Sequence, residues 1–385
     1  MRLLLVTWNY PPKVGGMEML LTQLVQHLCP HANVDVIGPY GGEAEVDLGE
    51  ETRIARPGRD GLAWFVLYAF LESLHLLRTN DYDAIIGGSA LVTPVVGILG
   101  RLFGLPVVVN AYGLDLIYPH TLYQWMVKAF LPRCSHVFAI SKASKKEALR
   151  RGVSPDRTSI VHPGLDFSEF QMVPDTRRIR QEHGLDGRLV LLSVGRLAKR
   201  KGIPEFVEHC LPAIVRRYPD AVYLVVGGNP TDSLSHKEDI RGRVQRTISE
   251  LQLEEHVRLL GRVERDVLVD LYHACDVFVL PAIPVTGDME GFGIVLTEAA
   301  AAGKPAVSTK MGGITDAVVD GKSGTLVEAE KWDNFSEAVL TLLADKWMRR
   351  EMGQFGRERV ETQLDWPIVA ERYARAVYDV LNKTD

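Results

Sequence analysis

Cysteine is scarce in this chain: four residues, at positions 29, 134, 210 and 275, with no C-x-x-C pair. That spacing argues against a cysteine zinc site or a disulfide framework and suits a reducing compartment. A basic excess is missing too. The 44 Lys and Arg stand against 49 Asp and Glu, a formal charge of −5, which argues against nucleic acid as the main partner. No apolar run is long enough to span a bilayer. The longest, 91–109, is broken by Pro94, Arg101 and Pro106, whereas a spanning helix needs about 20 largely uninterrupted apolar residues. The apolar run 3–6 is too short for a signal-peptide core and soon meets Pro11-Pro12. A cytoplasmic location is expected, with peripheral contact at the inner face of an anionic membrane as a secondary expectation.

Several familiar motifs are also missing. Gly321-Lys322-Ser323 looks like the end of a phosphate-binding P-loop, but the first glycine should fall at 316, where Asp316 stands. No G-x-G-x-x-G follows the first strand-like run, and there is no H-E-x-x-H. Asp81-Tyr82-Asp83 has the D-x-D spacing of metal-dependent sugar transferases, yet it falls just before a strand; a solvated turn is the better reading, and no metal is expected.

What is present is ordinary globular composition, 46% hydrophobic and 24% charged, with 34 Gly and 20 Pro in 385 residues. At about 150 residues per domain this length suggests two or three domains. Short β-branched runs at 3–7, 34–37, 84–86, 107–110, 137–140 and 159–161 alternate with amphipathic stretches such as 17–28 and 141–151. A break follows at His162-Pro163-Gly164, then a polar, Arg-rich stretch to 187. The alternation restarts with runs at 189–194, 222–226, 257–260, 277–280 and 306–308. This is the pattern of an α/β protein with two doubly wound, Rossmann-like domains, whose ligands bind at the carboxyl ends of the strands. Two such domains facing each other would put a site in the cleft between them. The apolar segment 62–77 reads as a helix packed on a sheet in preference to an interfacial membrane helix, because it lacks the flanking cations of the latter. Lys142, Lys145, Lys146, Arg150 and Arg151 cluster on one short helix, either as a solvated helix end, the favoured reading, or as a surface for anionic lipid.

The strongest chemical signal is Glu290-Gly-Phe-Gly-Ile-Val-Leu-Thr-Glu298. Gly291 and Gly293 let backbone approach a ligand closely, and the amides of Gly293, Ile294 and Val295 can receive a phosphate at a helix N-terminus. Glu298 could bond vicinal hydroxyls such as a ribose diol, and Glu290 a second polyol; the bland alternative is a capping turn with surface glutamates. The run 193–202 follows a strand in the same half. Its Arg196 can bind phosphate in bidentate fashion and Lys201 adds a point charge. Together they could neutralise a leaving diphosphate without a metal. In the first half, Tyr10-Pro11-Pro12-Lys13-Val14-Gly15-Gly16 could bring backbone amides to the same diphosphate.

These pieces carry a resemblance. Y-P-P-x-x-G-G at 10–16, Y-G-L-D at 112–115, V-G-R-L-x-x-R-K-G at 194–202, V-V-G-G at 225–228, L-G-R-V at 260–263 and E-G-F-G-I-V-L-T-E at 290–298 follow one another as in the retaining glycosyltransferases of family 4. The run 281–293 is similar to bacterial phosphatidylinositol-mannoside mannosyltransferases of the PimB type. The resemblance implies the GT-B fold, with an acceptor-binding domain over 1–168, a donor-binding domain over 187–365, a linker over 169–186, and a C-terminal helix (366–385) packing back on the first domain. It makes Arg196, Lys201 and Glu290 catalytic. Gly16, Gly228, Phe292, Gly293, Ile294 and Val295 would join them around the donor, with Glu298 on the ribose and the backbone at Arg262 and Val263 on the base. Tyr112 and Asp115 would face the acceptor or the donor sugar. Tyr112 stands where the family commonly has histidine, and His120 is a lesser candidate for that role.

The implied reaction is metal-independent hexosyl transfer with retention. The donor would be a nucleotide diphosphate sugar (GDP-mannose first, UDP-glucose next) and the acceptor a glycan, a lipid-linked acceptor or a small polyol. Front-face attack would leave no need for a carboxylate nucleophile, and no cofactor is implied. The alternatives are a nucleotide-sugar 2-epimerase of the same fold and a weakly active nucleotide-sugar-binding protein.

Overall fold

The computed structural model describes residues 1–41, 52–172, 174–228 and 239–383. The chain forms two compact units, Met1–Gly164 with Leu364–Asp385, and Leu165–Gln363.

The first unit is built on seven parallel strands: β1 (Arg2–Val6), β2 (Asn33–Ile37), β3 (Ile54–Ala55), β4 (Ala84–Gly87), β5 (Val107–Ala111), β6 (His136–Ala139) and β7 (Thr158–Ile160). They lie in the order β3-β2-β1-β4-β5-β6-β7, with Leu3 opposite Val34 on one side and Ala84 on the other. Successive residues of β1 serve opposite faces. Leu4 and Val6 pack with the helix Leu62–Thr79, and Leu3 and Leu5 with Gly16–Leu28 and the C-terminal helix Trp366–Leu381. Covering both faces is what makes strands read as continuous apolar runs. Asp365 caps the C-terminal helix by accepting from the Trp366 amide at 3.0 Å, and Tyr373 donates to Asn110 Oδ1 at 3.0 Å.

The second unit carries β8 (Leu189–Val194), β9 (Ala221–Val226), β10 (Val257–Gly261), β11 (Val277–Leu280), β12 (Ala306–Thr309) and β13 (Gly324–Val327), in the order β10-β9-β8-β11-β12-β13. Both sheets thus reverse direction after their first strand, between β1 and β4 and between β8 and β11. The crevice at the carboxyl ends of such a pair is where an open α/β sheet binds its ligands.

The structure departs from the sequence reading in a few places. β3 and β13 were not expected; β3 has two residues and β13 starts on a glycine, so neither carries a β-branched run. Residues 169–186, expected as a linker, carry the helix Thr176–Glu182 and most of Ser168–Gln171. Arg180 there donates to Ala274 O at 2.8 Å and Asp276 Oδ2 at 2.7 Å, and Arg258 donates to His183 O at 2.5 Å. Arg180 of this Arg-rich stretch and Arg258 of β10 are thus cross-links that hold it to the second unit's sheet. In the D-x-D turn Tyr82 is buried, with its hydroxyl on Asp35 at 2.6 Å, and Asp83 accepts from the Arg2 amide at 2.7 Å.

Among the described residues no helix is long and apolar enough to cross a membrane. The helix Leu62–Thr79 buries Phe65, Ala69, Ser73, Leu76 and Leu77 on the sheet side. The cationic helix Lys142–Arg150 is not a bare patch. Lys145 donates to Thr158 O at 2.8 Å, while Arg150 and Arg151 pair with Glu147 at 2.5 and 2.7 Å. Those contacts fit a solvated helix end better than a lipid surface.

Candidate active site

The carboxyl edge of the second sheet gathers the expected donor residues. Three backbone bonds align its loops: Gly195 N to Val226 O at 2.9 Å, Leu197 N to Gly228 O at 2.9 Å and Gly227 N to Gly261 O at 2.7 Å. They set Arg196, Gly228 and the Arg262-Val263 turn side by side after β8, β9 and β10. Arg196 is exposed, and its guanidinium has no bonded partner among the described residues.

Lys201 sits differently. It is 7% exposed, and its Nζ donates to Glu290 Oε2 at 2.7 Å. Arg200 reaches the same oxygen from Nε and Asp288 Oδ2 from Nη1, both at 3.3 Å. Two cations and two carboxylates therefore meet between the loops after β8 and β11, and Arg196 on the same loop tips this edge to net positive charge. Burial lowers the Lys201 pKa against the pull of Glu290, with Arg200 and Arg196 adding to the lowering. Burial would raise that of Glu290, but Lys201 and Arg200 hold it down to about 2. Glu290 is therefore ionised at neutral pH.

After Glu290 the chain turns into the helix Ile294–Ala301. Gly293 takes a left-handed φ of 89° at its start, and no side chain caps it. The amides of Gly293, Ile294 and Val295 have no hydrogen-bond partner among the described residues. An uncapped N-terminus beside a cluster of net positive charge is suited to phosphate. The turn is braced from behind: Gly313 N donates to Glu290 O at 2.8 Å, and a Cβ on Gly313 would come within 2.0 Å of Gly291 O. Phe292 is buried beneath it. Glu298, one turn into the helix, is 5% exposed; it accepts from Arg265 Nη1 at 2.6 Å and from the Tyr272 hydroxyl at 2.7 Å.

In the first unit, Gly16 opens the helix Gly16–Leu28 and is exposed, with nothing within 4 Å of a Cβ built there. The Glu18 carboxylate lies against Gly15 and accepts from Asn9 Nδ2 at 2.9 Å. A negative charge thus sits where a diphosphate was expected to meet the glycine pair. Tyr112 follows β5 and is buried, lining a crevice with Asn110, Phe138, Trp366 and Tyr373. Asp115 is not aimed at a substrate. Its carboxylate accepts from the amides of Tyr112 at 2.9 Å, Gly113 at 2.8 Å and Ala90 at 3.0 Å, which makes it a brace for the Tyr112 turn. His120 caps the helix Thr121–Phe130.

Two family models match end to end, "Glycosyltransferase Family 4" over 14–169 and "Glycosyl transferases group 1" over 175–359. A GDP-mannose-dependent monoacylated alpha-(1-6)-phosphatidylinositol monomannoside mannosyltransferase of Corynebacterium glutamicum is 32% identical over 387 residues, with 96% of each chain covered. The chain belongs to the family 4 glycosyltransferases. A GDP-mannose-dependent alpha-(1-6)-phosphatidylinositol monomannoside mannosyltransferase of Mycolicibacterium smegmatis is 28% identical, with 97% of each chain covered. Among solved structures, the Anabaena protein HepE in complex with UDP superposes with a TM-score of 0.80 at 21% identity, covering 98% of this chain and 99% of that one. Sucrose-phosphate synthase from Thermosynechococcus elongatus gives 0.80 at 23% identity, with 99% of each covered. The fold of this glycosyltransferase is GT-B, with two parallel-sheet Rossmann-like domains. The 2-epimerase alternative finds no support among these relatives.

Sequence reasoning missed four side chains of this glycosyltransferase's charged edge. Arg200 and Asp288 stood inside recognised motifs but were given no role. Arg265 and Tyr272 lie in the helix Arg265–Ala274, 33 and 26 positions from the carboxylate they hold. No local signal marks them.

Proposed function

We propose that this glycosyltransferase transfers a hexose, mannose before glucose, from a nucleotide diphosphate sugar to a glycan, lipid-linked or polyol acceptor, with retention and without a metal. The observation that carries the proposal is the cationic cluster of Arg196, Arg200 and Lys201 next to the uncapped helix start at 293–295. A departing diphosphate there would meet fixed cations and aimed amides. Groups preorganised toward developing charge are usually the largest single contribution to a rate enhancement. Glu290, tied to Lys201, would then accept hydroxyls of the donor sugar, and Glu298 those of the ribose. Retention and freedom from metal follow from the family resemblance. Mannose is favoured because two relatives are named as GDP-mannose-dependent.

A thermal-shift panel of nucleotide sugars tests the donor reading, since a ligand at 100 times its Kd stabilises by about 2.7 kcal/mol. GDP-mannose or a UDP-hexose is expected to raise Tm. Absence of a shift with every nucleotide sugar would refute donor binding. Retention is read from the anomeric proton of the product.

Peripheral contact with an anionic bilayer remains part of the proposal, on a different surface from the cationic helix. The helix Thr93–Phe103 packs against both Leu62–Thr79 and Thr121–Phe130. Outward from these three point Leu67, Leu71, Ile98, Leu102, Leu122 and Trp125, from 47% exposed at Ile98 to 63% at Trp125. Between 93 and 133, across the last two of these helices, the chain has one acid, the buried Asp115, against Arg101, Lys128 and Arg133. Apolar tips beside a basic stretch whose one acid is buried suit anionic headgroups. Cosedimentation with phosphatidylglycerol vesicles is expected, and it should weaken in L122S/W125S; equal binding to pure phosphatidylcholine would count against the charge argument.

A further inference from the structure

Arg265 has a geometry that a surface ion pair does not require. Its Nη1 donates to Glu298 Oε1 at 2.6 Å, while Nε and Nη2 both donate to Glu169 Oε2, at 2.9 and 2.5 Å. The Phe170 ring lies 5.7 Å from the guanidinium carbon. Burial would lower the arginine's pKa, but Glu298 and Glu169 together raise it. Glu169 comes from the helix Ser168–Gln171, Arg265 opens the helix Arg265–Ala274, and Glu298 belongs to Ile294–Ala301. Arg265 also follows Val263 by two positions, so one turn holds both the backbone assigned to the base and the cation on the ribose carboxylate.

We infer that Arg265 is a positioning residue for the donor nucleotide: it fixes the Glu298 carboxylate in the orientation that receives the ribose diol, and Glu169 fixes Arg265. The inference rests on Glu298 as the ribose ligand. An ionised carboxylate offers about four lone-pair sites. Arg265 occupies one on Oε1 and Tyr272 one on Oε2, leaving one on each oxygen, the pattern that a vicinal diol matches. Without Arg265 the buried carboxylate keeps only a neutral hydroxyl as partner. It would then be free to turn, and its match to the diol is lost.

The alternative is a staple between helices with no bearing on the ligand, and the 2′-hydroxyl separates the two. Wild type, Arg265→Ala, Arg265→Lys and Glu169→Gln are titrated calorimetrically with UDP, GDP and their 2′-deoxy forms. For whichever diphosphate binds, the wild type is expected to prefer the ribo form about 10-fold, the size of a hydrogen bond to a charged group. Arg265→Ala should bind the ribo form about 10-fold more weakly and no longer distinguish the two. Arg265→Lys should recover part of the preference. Glu169→Gln keeps Arg265 on Glu298 but loosens its anchor, so its preference should fall between wild type and Arg265→Ala. It tests the same point should Arg265→Ala not fold. A preference kept in full by these variants overturns the positioning role. A wild type that binds diphosphate without preferring the ribo form overturns the ribose reading of Glu298 itself, and the inference with it.

Discussion

The two units share a strand order through their first six strands and differ in what they hang on its carboxyl edge. After β8 come Arg196, Lys199, Arg200 and Lys201; after β1 the only cation is Lys13, whose Nζ lies 4.0 Å from the Trp8 ring centroid. The loop after β11 returns Asp288 and Glu290 to those cations, whereas β4 is followed by Gly88 and Ser89. In the first unit the acids near the edge are taken up internally. Asp115 braces the Tyr112 turn, and Glu18 lies over Gly15. One architecture thus makes a charged edge in one unit and a nearly neutral, partly apolar one in the other. The difference lies in a few loop residues on a common scaffold, which is where function usually resides in superfolds. It supports assigning the diphosphate to the second unit and the acceptor to the first.

The comparison breaks most sharply at Lys201. Lys201→Ala should lower kcat at least ~100-fold with donor saturating, as expected for one lost preorganised donor, whereas Lys13→Ala in the first unit should leave kcat within about 2-fold. Because Lys201 is buried against Glu290, its variant also needs a melting curve to show that it folds. Next comes Tyr112. Tyr112→Phe should raise the acceptor KM by roughly 5-fold through loss of a neutral hydroxyl while leaving the donor KM in place. A shift in donor KM alone would move Tyr112 to the other substrate.

Acid stability gives the smallest effect. In the first unit burial lowers the His136 pKa from 6.5 to about 4, and in the second it does the same for His273. A base with a lowered folded pKa contributes fully above its unfolded value, so both units should weaken as pH falls from 6.5 toward 4. Glu290 adds a second window in the second unit. Its folded value of about 2 lies below the ordinary 4.5. Its contribution is present above 4.5 and lost as pH falls toward 2. Glu290→Gln should therefore be less stable than wild type at neutral pH, with the gap closing between pH 4.5 and 2 in denaturant titrations. A constant gap would deny the depressed carboxyl.

Much of this molecule could be read from its sequence because parallel strands buried on both faces are short apolar runs. The strands after 84 in the first unit and β8 to β12 in the second all stand out this way. β3 and β13 do not, since two residues and a glycine-led tetrad carry no periodic signal. At the site, the E-G-F-G and R-K-G runs announce their chemistry locally, through glycines beside charges. What they do not announce is pairing. Lys201 and Glu290 are 89 positions apart, and Arg265 and Glu169 are 96 apart. Charges that read as ligand-facing are thus partly spent on one another. Asp115 shows the reverse: it sits in a recognised motif, but three backbone amides take up its carboxylate.

Arg196 offers the cleanest test of the charged edge. It is exposed and has no bonded partner among the described residues, so its removal should leave the fold unchanged. The measurement is a calorimetric titration of wild type and Arg196→Ala with the nucleoside diphosphate that binds. The predicted result is an affinity about 10-fold lower in the variant, at unchanged Tm, from loss of a charge-assisted contact. Equal affinity in the two proteins would contradict the assignment of the diphosphate to this edge.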